Sequence, residues 1–280
     1  MSGTEISPAA RAFDTIAGIF DARFTPWLSV AAQRRAVRTA LARAFPRGSR
    51  LLEVGGGTGD DAAWLLGHGR SVLMTDAGPA MTQVASAKLA RFPDARVETV
   101  QAEEMEAFAA RLTTEGVGKF DGVYSNFAGL NCVTDLSPFA RGLASLVRPG
   151  GQALLVIFGT FSPGEMITEC LRGRPQNALR RLKKGDVPAR LSGQHFTVRY
   201  HRRADLARAM APWFTLVETR AIGLFVPPSA AEPWISNYPR LIGLFEALDK
   251  IFARPLAIFG DHILYRLVRT DEPAPPAAQP

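Results

Sequence analysis

Residues 51–60 read LLEVGGGTGD, and their order decides the fold. Leu51, Leu52 and Val54 form an apolar run of strand length, and a glycine cluster stops it. Gly55, Gly57 and Gly59 lack a Cβ, so the backbone there can take φ > 0 and bring its amides against a ligand. Asp60 and Asp61 then suit the positive end of a helix opening behind the turn. Strand, glycine turn and helix together make a nucleotide cradle. The spacing is G-x-G-x-G, whereas the dinucleotide fingerprint needs another glycine where Asp60 stands, and that weakens an NAD reading. Glu53, two residues before the first glycine, lies where a strand end points a carboxylate into the crevice of an open α/β sheet, able to accept from an ammonium group.

Working outward, residues 71–76 (SVLMTD) predict a second buried strand ending in Asp76, whose carboxylate can take two hydrogen bonds from a ribose diol. Residues 96–100 predict a third strand, followed by Gln101-Ala102-Glu103, and residues 120–125 (FDGVYS) a fourth, ending at Asn126. At 147–151, VRPGG ends a helix and launches a strand over 152–158. With these segments in this order, the chain resembles the class I S-adenosylmethionine-dependent methyltransferases. EVGGGTG, the Asp76 strand end, FDGVYSN and RPGG carry the resemblance strongly over residues 13–158 and in outline beyond. It is nearest in flavour to the ubiquinone/menaquinone-biosynthesis type, which the phrase FDTIAGIFD at 13–21 also resembles.

The resemblance implies a Rossmann-like α/β fold. Its sheet would have seven mostly parallel strands, an antiparallel last pair and helices on both faces, with a helical cap over the substrate end. It implies S-adenosylmethionine as cofactor, covered by helices over 13–45. Glu53, Gly55, Gly56, Gly57 and Gly59 would hold the methionine moiety, Asp76 the ribose, and Gln101 with Ala102 the adenine edge. Phe20, Ala77, Met81, Glu103 and Asn126 would complete the cofactor shell. Gln101 departs from the Asp common in relatives; its amide can accept from an exocyclic amine, but its own NH₂ then needs another partner.

A chain of 280 residues can bury roughly 75% of its unfolded surface, enough for one domain with an elaboration. No apolar run approaches the ~18 residues of a spanning helix, and MSGTEISPAARAFD has neither basic n-region nor apolar h-region, so the cytoplasm is expected. Cys132 and Cys170 are read as reduced thiols, and no metal spacing is present.

Charge is unevenly spread. Residues 170–203 hold ten arginines and lysines against Asp186 alone, while the whole chain carries +7, so the remainder is slightly acidic. This basic insertion (160–205) follows the fifth strand, where the resembled family often places substrate-recognition elements. It predicts recruitment of an anionic substrate, an acidic carrier protein or an anionic membrane surface, the last making the protein peripheral to the inner membrane face. The plain alternative is a solvated helix face. Nucleic acid ranks last, because only Phe196 and Tyr200 supply aromatic rings there. The Asn-Pro-Pro-aromatic signature of base-amine methylation is also missing, since Phe127-Ala128-Gly129 follows Asn126.

Residues 213–226 and 261–269 predict the closing strand pair. Between them, Trp234, Tyr238, Leu241, Ile242, Leu244, Phe245, Leu248, Ile251 and Phe252 recur at helical spacing over 230–254, a stripe that either packs inward or walls an apolar pocket. Residues 1–12 and the proline-rich 271–280 are expected to be disordered.

The expected chemistry is displacement at an activated methyl, for which the protein must align a nucleophile and exclude water. A phenol, enol or hydroxyl acceptor must also lose a proton, and histidine is the natural base. His195, His201 and His262 are candidates, His68 reading as a surface residue. Asn126, His195 and Tyr200 are the residues expected to face the acceptor. The expected activity is methyl transfer to an oxygen or activated carbon of a fairly apolar small molecule. A non-catalytic cofactor-binding role and RNA methylation are the alternatives, the latter marked by a steep salt dependence.

Overall fold

A strand buried on both faces reads as a continuous apolar run, and Leu51, Leu52 and Val54 are all buried, as are Val72, Leu73 and Met74. In the computed structural model, residues 5–127 and 129–270 are described. Their strands are β1 Arg50–Val54, β2 Ser71–Asp76, β3 Ala95–Thr99, β4 Phe120–Ser125, β5 Val147–Phe158, β6 Asp186–Leu191, β7 Gln194–Arg199, β8 Phe214–Ile222 and β9 His262–Arg269. Seven form one sheet in the order β3-β2-β1-β4-β5-β9-β8, and β6 with β7 forms a separate hairpin. β1 to β5 pair in parallel, while β9 runs antiparallel to both β5 and β8. The sheet is thus the seven-stranded, mostly parallel one expected.

The helices are α1 Pro8–Asp14, α2 Phe20–Phe24, α3 Leu28–Ala44, α4 Asp60–Gly67, α5 Pro79–Leu89, α6 Met105–Thr114, α7 Ser137–Leu146, α8 Pro163–Leu171, α9 Pro175–Ala178, α10 Arg203–Met210 and α11 Pro239–Phe252. Alternate strand residues feed two cores. Leu52, Val54, Val123, Leu155 and Ile157 pack with Phe108 and Phe139 of α6 and α7. Leu51, Met74, Tyr124, Leu154 and Val156 pack with Leu41, Leu65 and Leu89 of α3, α4 and α5. Each such side chain stabilises by about 1.5–3 kcal/mol on burial. Strand order reverses between β1 and β4, so the ligand crevice of this architecture opens beyond their carboxyl ends. No helix among the described residues is long and apolar enough to cross a membrane.

Several local expectations are corrected. Within residues 1–12, expected to be disordered, α1 starts at Pro8 and is capped by Ser7, whose Oγ accepts from Ala10 N at 3.2 Å. Residues 1–4 and 271–280 lie outside the described residues. The basic insertion is no single helix: it folds as α8, α9 and the β6–β7 hairpin, its glycines at 185 and 193 serving loops. The Trp234–Phe252 stripe is also broken. Trp234 belongs to a short turn, and Ile242 is the buried residue of α11, packed with Ala32, Val226 and Ile235 on the outer side of α3. Leu244, Ile251 and Phe252 are exposed.

Candidate active site

The turn after β1 takes φ of +72° at Gly55, +57° at Gly57 and +79° at Gly59. A methyl added at Gly57 would meet nothing within 4 Å, so the turn presents bare backbone to open space there. One added at Gly56 would come within 2.9 Å of Glu53 Oε2, which places that carboxyl directly beneath the turn. Gly57 N donates to Asp76 Oδ2 and Gly78 N to Asp76 Oδ1, both at 2.8 Å. Asp76 therefore shapes the turn while each of its oxygens keeps a lone pair for a further donor.

Three buried polar atoms converge on the carboxyl ends of β1 and β4 without a well-formed hydrogen bond among the described residues: Glu53 Oε2, Tyr124 Oη and Ser125 Oγ, the Tyr124 phenol lying near enough to the Glu53 carboxyl to favour its charged form. Buried polar groups ordinarily find partners. Burial, with the nearby Asp61 carboxylate adding to it, pushes the Glu53 carboxyl up to about 8. A buried acidic group without a well-formed hydrogen bond at its Oε2, beneath a turn open at Gly57, fits a ligand bearing a cationic amine, and Asp76 with its spare lone pairs fits a diol.

The amino-terminal segment is clamped over this cradle through two acids of FDTIAGIFD. Asp14 Oδ1 accepts from the Ala80 and Met81 amides at 3.1 and 3.2 Å, capping α5. Asp21 accepts from Thr58 Oγ1 at 2.6 Å and from Lys88 at 2.7 Å. Lys88 and Arg34 also bind Asp60, and against its partial burial they hold that carboxylate below its usual range. Arg38 binds Asp61 at 2.8 Å. Phe20 is half-buried on α2 beside Phe24, its ring 4.7 Å away, and Met81 is buried. Asp14, Asp21, Thr58 and Lys88 were not singled out in the sequence, although FDTIAGIFD contained two of them.

Other expected residues divide. Gln101 Oε1 accepts from Ser7 N at 3.0 Å and its Nε2 donates to Glu5 O, so the amide grips the amino-terminal segment and does not stand free for an adenine edge. Ala77 and Ala102 are half-buried, and Glu103 is exposed. Glu103 and Asp76 both face Cys132, whose thiol burial pushes up to about 12. Asn126 is buried and spends its Nδ2 on Asp61 Oδ2 at 2.6 Å and its Oδ1 on Phe127 N, so it is not free to orient an acceptor. Phe127 follows at φ +46°, a conformation a bulky residue holds only when its surroundings impose it.

The hairpin has an inner face of Val187, Val198 and Tyr200, packed on Cys132 and Phe158. His195 lies on the other face, exposed and opposite Arg190, which corrects its assignment to the acceptor. Tyr200 does face inward, its ring 5.9 Å from Phe158, and burial raises its phenol. His201 Nε2 lies 2.9 Å from Val133 O, and burial lowers the ring below the usual histidine range, marking a structural contact. His262, at the start of β9, stacks on Phe158 at 4.7 Å and meets the edge of Phe127 at 5.5 Å. It stands opposite Phe158 in register, at the carboxyl end of β5.

Arg181 corrects the picture of a solvated basic face. It is 5% exposed and bound to Glu165 and to Asp261, the latter at 2.7 Å. Arg180 also pairs with Glu165 and Arg199 with Asp186. What stays available is a groove of about 1090 Å³ between the hairpin and α10. Lys183, Lys184, Arg202 and Arg203 on its wall are exposed and make no ion pair among the described residues.

Compared with known proteins, residues 30–212 match the family model described as a methyltransferase domain. No curated protein matches by sequence. Solved structures share the fold. The CcbJ methyltransferase of Streptomyces caelestis has a TM-score of 0.56 at 14% identity, covering 95% of this chain and 100% of its own. The 1,6-didemethyltoxoflavin-N1-methyltransferase of Burkholderia thailandensis, solved with S-adenosylhomocysteine, has a TM-score of 0.54 at 19% identity, covering 97% and 94%. The [4+2]-cyclase SpnF has a TM-score of 0.51 at 12% identity, covering 84% and 81%.

Proposed function

The chain belongs to the methyltransferase-domain family, and from that premise we propose that it moves the methyl group of S-adenosylmethionine to an oxygen or activated carbon of a fairly apolar, negatively charged small molecule. The observation that carries the reading is the buried Glu53 carboxyl, with no cation and no well-formed hydrogen bond at its Oε2 among the described residues, beneath a glycine turn open at Gly57. Glu53 would hold the amine of the cofactor's methionine moiety, the Gly55–Gly59 backbone its carboxylate, and Asp76 its ribose diol. When bound, this sulfonium supplies a methyl already activated for displacement. The chain's own work is then to orient the acceptor, exclude water and accept a proton.

Phe127, Phe158 and Tyr200 give the acceptor an apolar floor. Lys183, Lys184, Arg202 and Arg203 stand beside it, and Tyr200 belongs to both the floor and the groove. An anionic group on the acceptor would be drawn to these cations while its reacting atom lies on the apolar side. Incubation of the protein with methyl-labelled S-adenosylmethionine and a metabolite-rich extract, followed by identification of the labelled product, tests this. A labelled, anionic small molecule is expected. Cofactor binding with no labelled product would favour a non-catalytic role, and label in RNA would overturn the acceptor class.

A further inference from the structure

Asp261 and His262 are adjacent in sequence, and the fold turns their side chains onto one another. His262 Nδ1 is buried and lies 3.2 Å from Asp261 Oδ2, an ion-pair contact whose angle falls short of a hydrogen bond. Asp261 is held from two directions: Arg181 Nη2 donates to its Oδ1 at 2.7 Å, and Gln33 Nε2 from α3 donates to its Oδ2 at 3.2 Å. Burial alone would raise this carboxyl, yet His262 and Arg181 hold it well below the usual range, so it stays charged. The imidazole has little freedom, being stacked on Phe158 with Phe127 at its edge. Its Nε2 takes no hydrogen bond among the described residues. Phe127 at the ring's edge follows directly on Asn126 at the end of β4, and Phe158 pairs with His262 in register at the carboxyl end of β5, so the ring stands at the end of the sheet where the crevice opens. The other charged or titratable groups around the pair are Arg181 and Glu165 from the insertion, Tyr200 beyond Phe158, and Arg34 over the Phe127 ring.

We propose that His262 Nε2 takes the proton from a hydroxyl acceptor, with Asp261 as the positioning residue that keeps the ring in the Nδ1–H tautomer. The inference rests on the methyltransferase reading above and narrows it to acceptors that must lose a proton. As the acceptor's O–H bond breaks, its proton passes to Nε2 and both electrons stay on oxygen, which uses them to bond the incoming methyl carbon; the methyl's former bonding pair leaves with sulfur. The imidazolium so formed faces the Asp261 carboxylate and returns its proton to water after product leaves. A carboxylate beside one ring nitrogen favours the proton there and bares the other. Asn126, His195 and His201 offer no comparable free base, since two are engaged and His195 points away.

Two readouts test this on the full chain with S-adenosylhomocysteine or the labelled cofactor. Nitrogen-15 NMR of the histidine rings should show His262 with Nδ1 protonated and Nε2 bare, and Asp261→Asn should reverse that preference. His262→Gln should keep cofactor affinity and a cooperative melt while lowering label transfer into the extract about 10²–10⁴-fold, the range for losing a general base. An Nε2–H tautomer in the wild type, or a wild-type rate in His262→Gln, would overturn the assignment and leave the methyltransferase reading standing. A wild type that binds cofactor and labels nothing would overturn both.

Discussion

Charges near the glycine turn and charges behind the acceptor side of the crevice fasten chain segments to the same sheet in different ways. Asp14, Asp21, Asp60 and Asp61 share backbone amides, Lys88, Arg34 and Arg38, and apart from the buried Asp61 these groups remain partly hydrated, Lys88 being 23% exposed. Arg181, Glu165 and Asp261 form a dry set, each at most 5% exposed, with Arg181 and Asp261 eighty positions apart. Exposed pairs contribute little because water and salt screen them, whereas a buried charge is costly once its partner is gone. The first region is therefore built to admit a ligand among adjustable charges. The second fixes a rigid wall.

That contrast is most easily broken at Arg181. Arg181→Ala removes the buried cation shared by Glu165 and Asp261, leaving Glu165 only the half-exposed Arg180 and Asp261 only His262 and Gln33 among the described residues, and should lower unfolding stability by about 3–5 kcal/mol in denaturant titrations. Arg180→Ala, whose side chain is 42% exposed, should cost far less. Equal losses would mean that the two regions do not differ as described.

In the cofactor half, Asp76→Ala should weaken S-adenosylhomocysteine binding by about 1.5–3 kcal/mol, as for hydrogen bonds to a charged group, because it removes both the diol's acceptor and the anchor of the Gly57 amide. Unchanged affinity in a folded variant would free Asp76 of that role.

Glu53 sharpens the comparison through pH. Its carboxyl is raised from an ordinary 4.5 to about 8, chiefly by burial, so between those values the folded chain keeps a proton that the unfolded chain releases. Stability without cofactor should consequently fall as pH rises through that window. A cationic amine seated on Glu53 would pull the value down, so cofactor binding near pH 7 should expel a proton, visible as buffer-dependent heats in calorimetry. If Glu53→Gln releases the same proton, Glu53 is not the amine's partner.

The smallest effect is expected at the groove. Replacing Lys183 and Lys184 by Gln should leave stability within about 0.5 kcal/mol while raising the acceptor's KM and flattening its dependence on salt. A wild-type KM at every ionic strength would reduce these lysines to a solvated edge.

These differences also explain what the sequence revealed. The sheet was legible because strands buried on both faces write continuous apolar runs, and the turn after β1 because its positive φ at Gly55, Gly57 and Gly59 suits glycine. The locks at Asp14 and Asp21 were visible only as letters in FDTIAGIFD, since their partners at Thr58, Lys88 and Met81 are set by tertiary packing. Basic residues in 170–203 looked equivalent, and nothing local marks Arg181 as the buried one, because Glu165 and Asp261 reach it from other elements. His195 was favoured over His262 because it lies within the insertion expected to cap the substrate end, but a two-residue period in β7 turns it outward while its neighbour Phe196 faces in.

The central claim, that the turn after β1 cradles the cofactor, is tested most directly by titrating S-adenosylhomocysteine calorimetrically into the wild type and Gly57→Val. A β-branched side chain at φ +57° fills the space where the backbone is bare, so the variant should melt cooperatively and bind no ligand, while the wild type binds with measurable heat. Wild-type affinity in Gly57→Val would contradict the account.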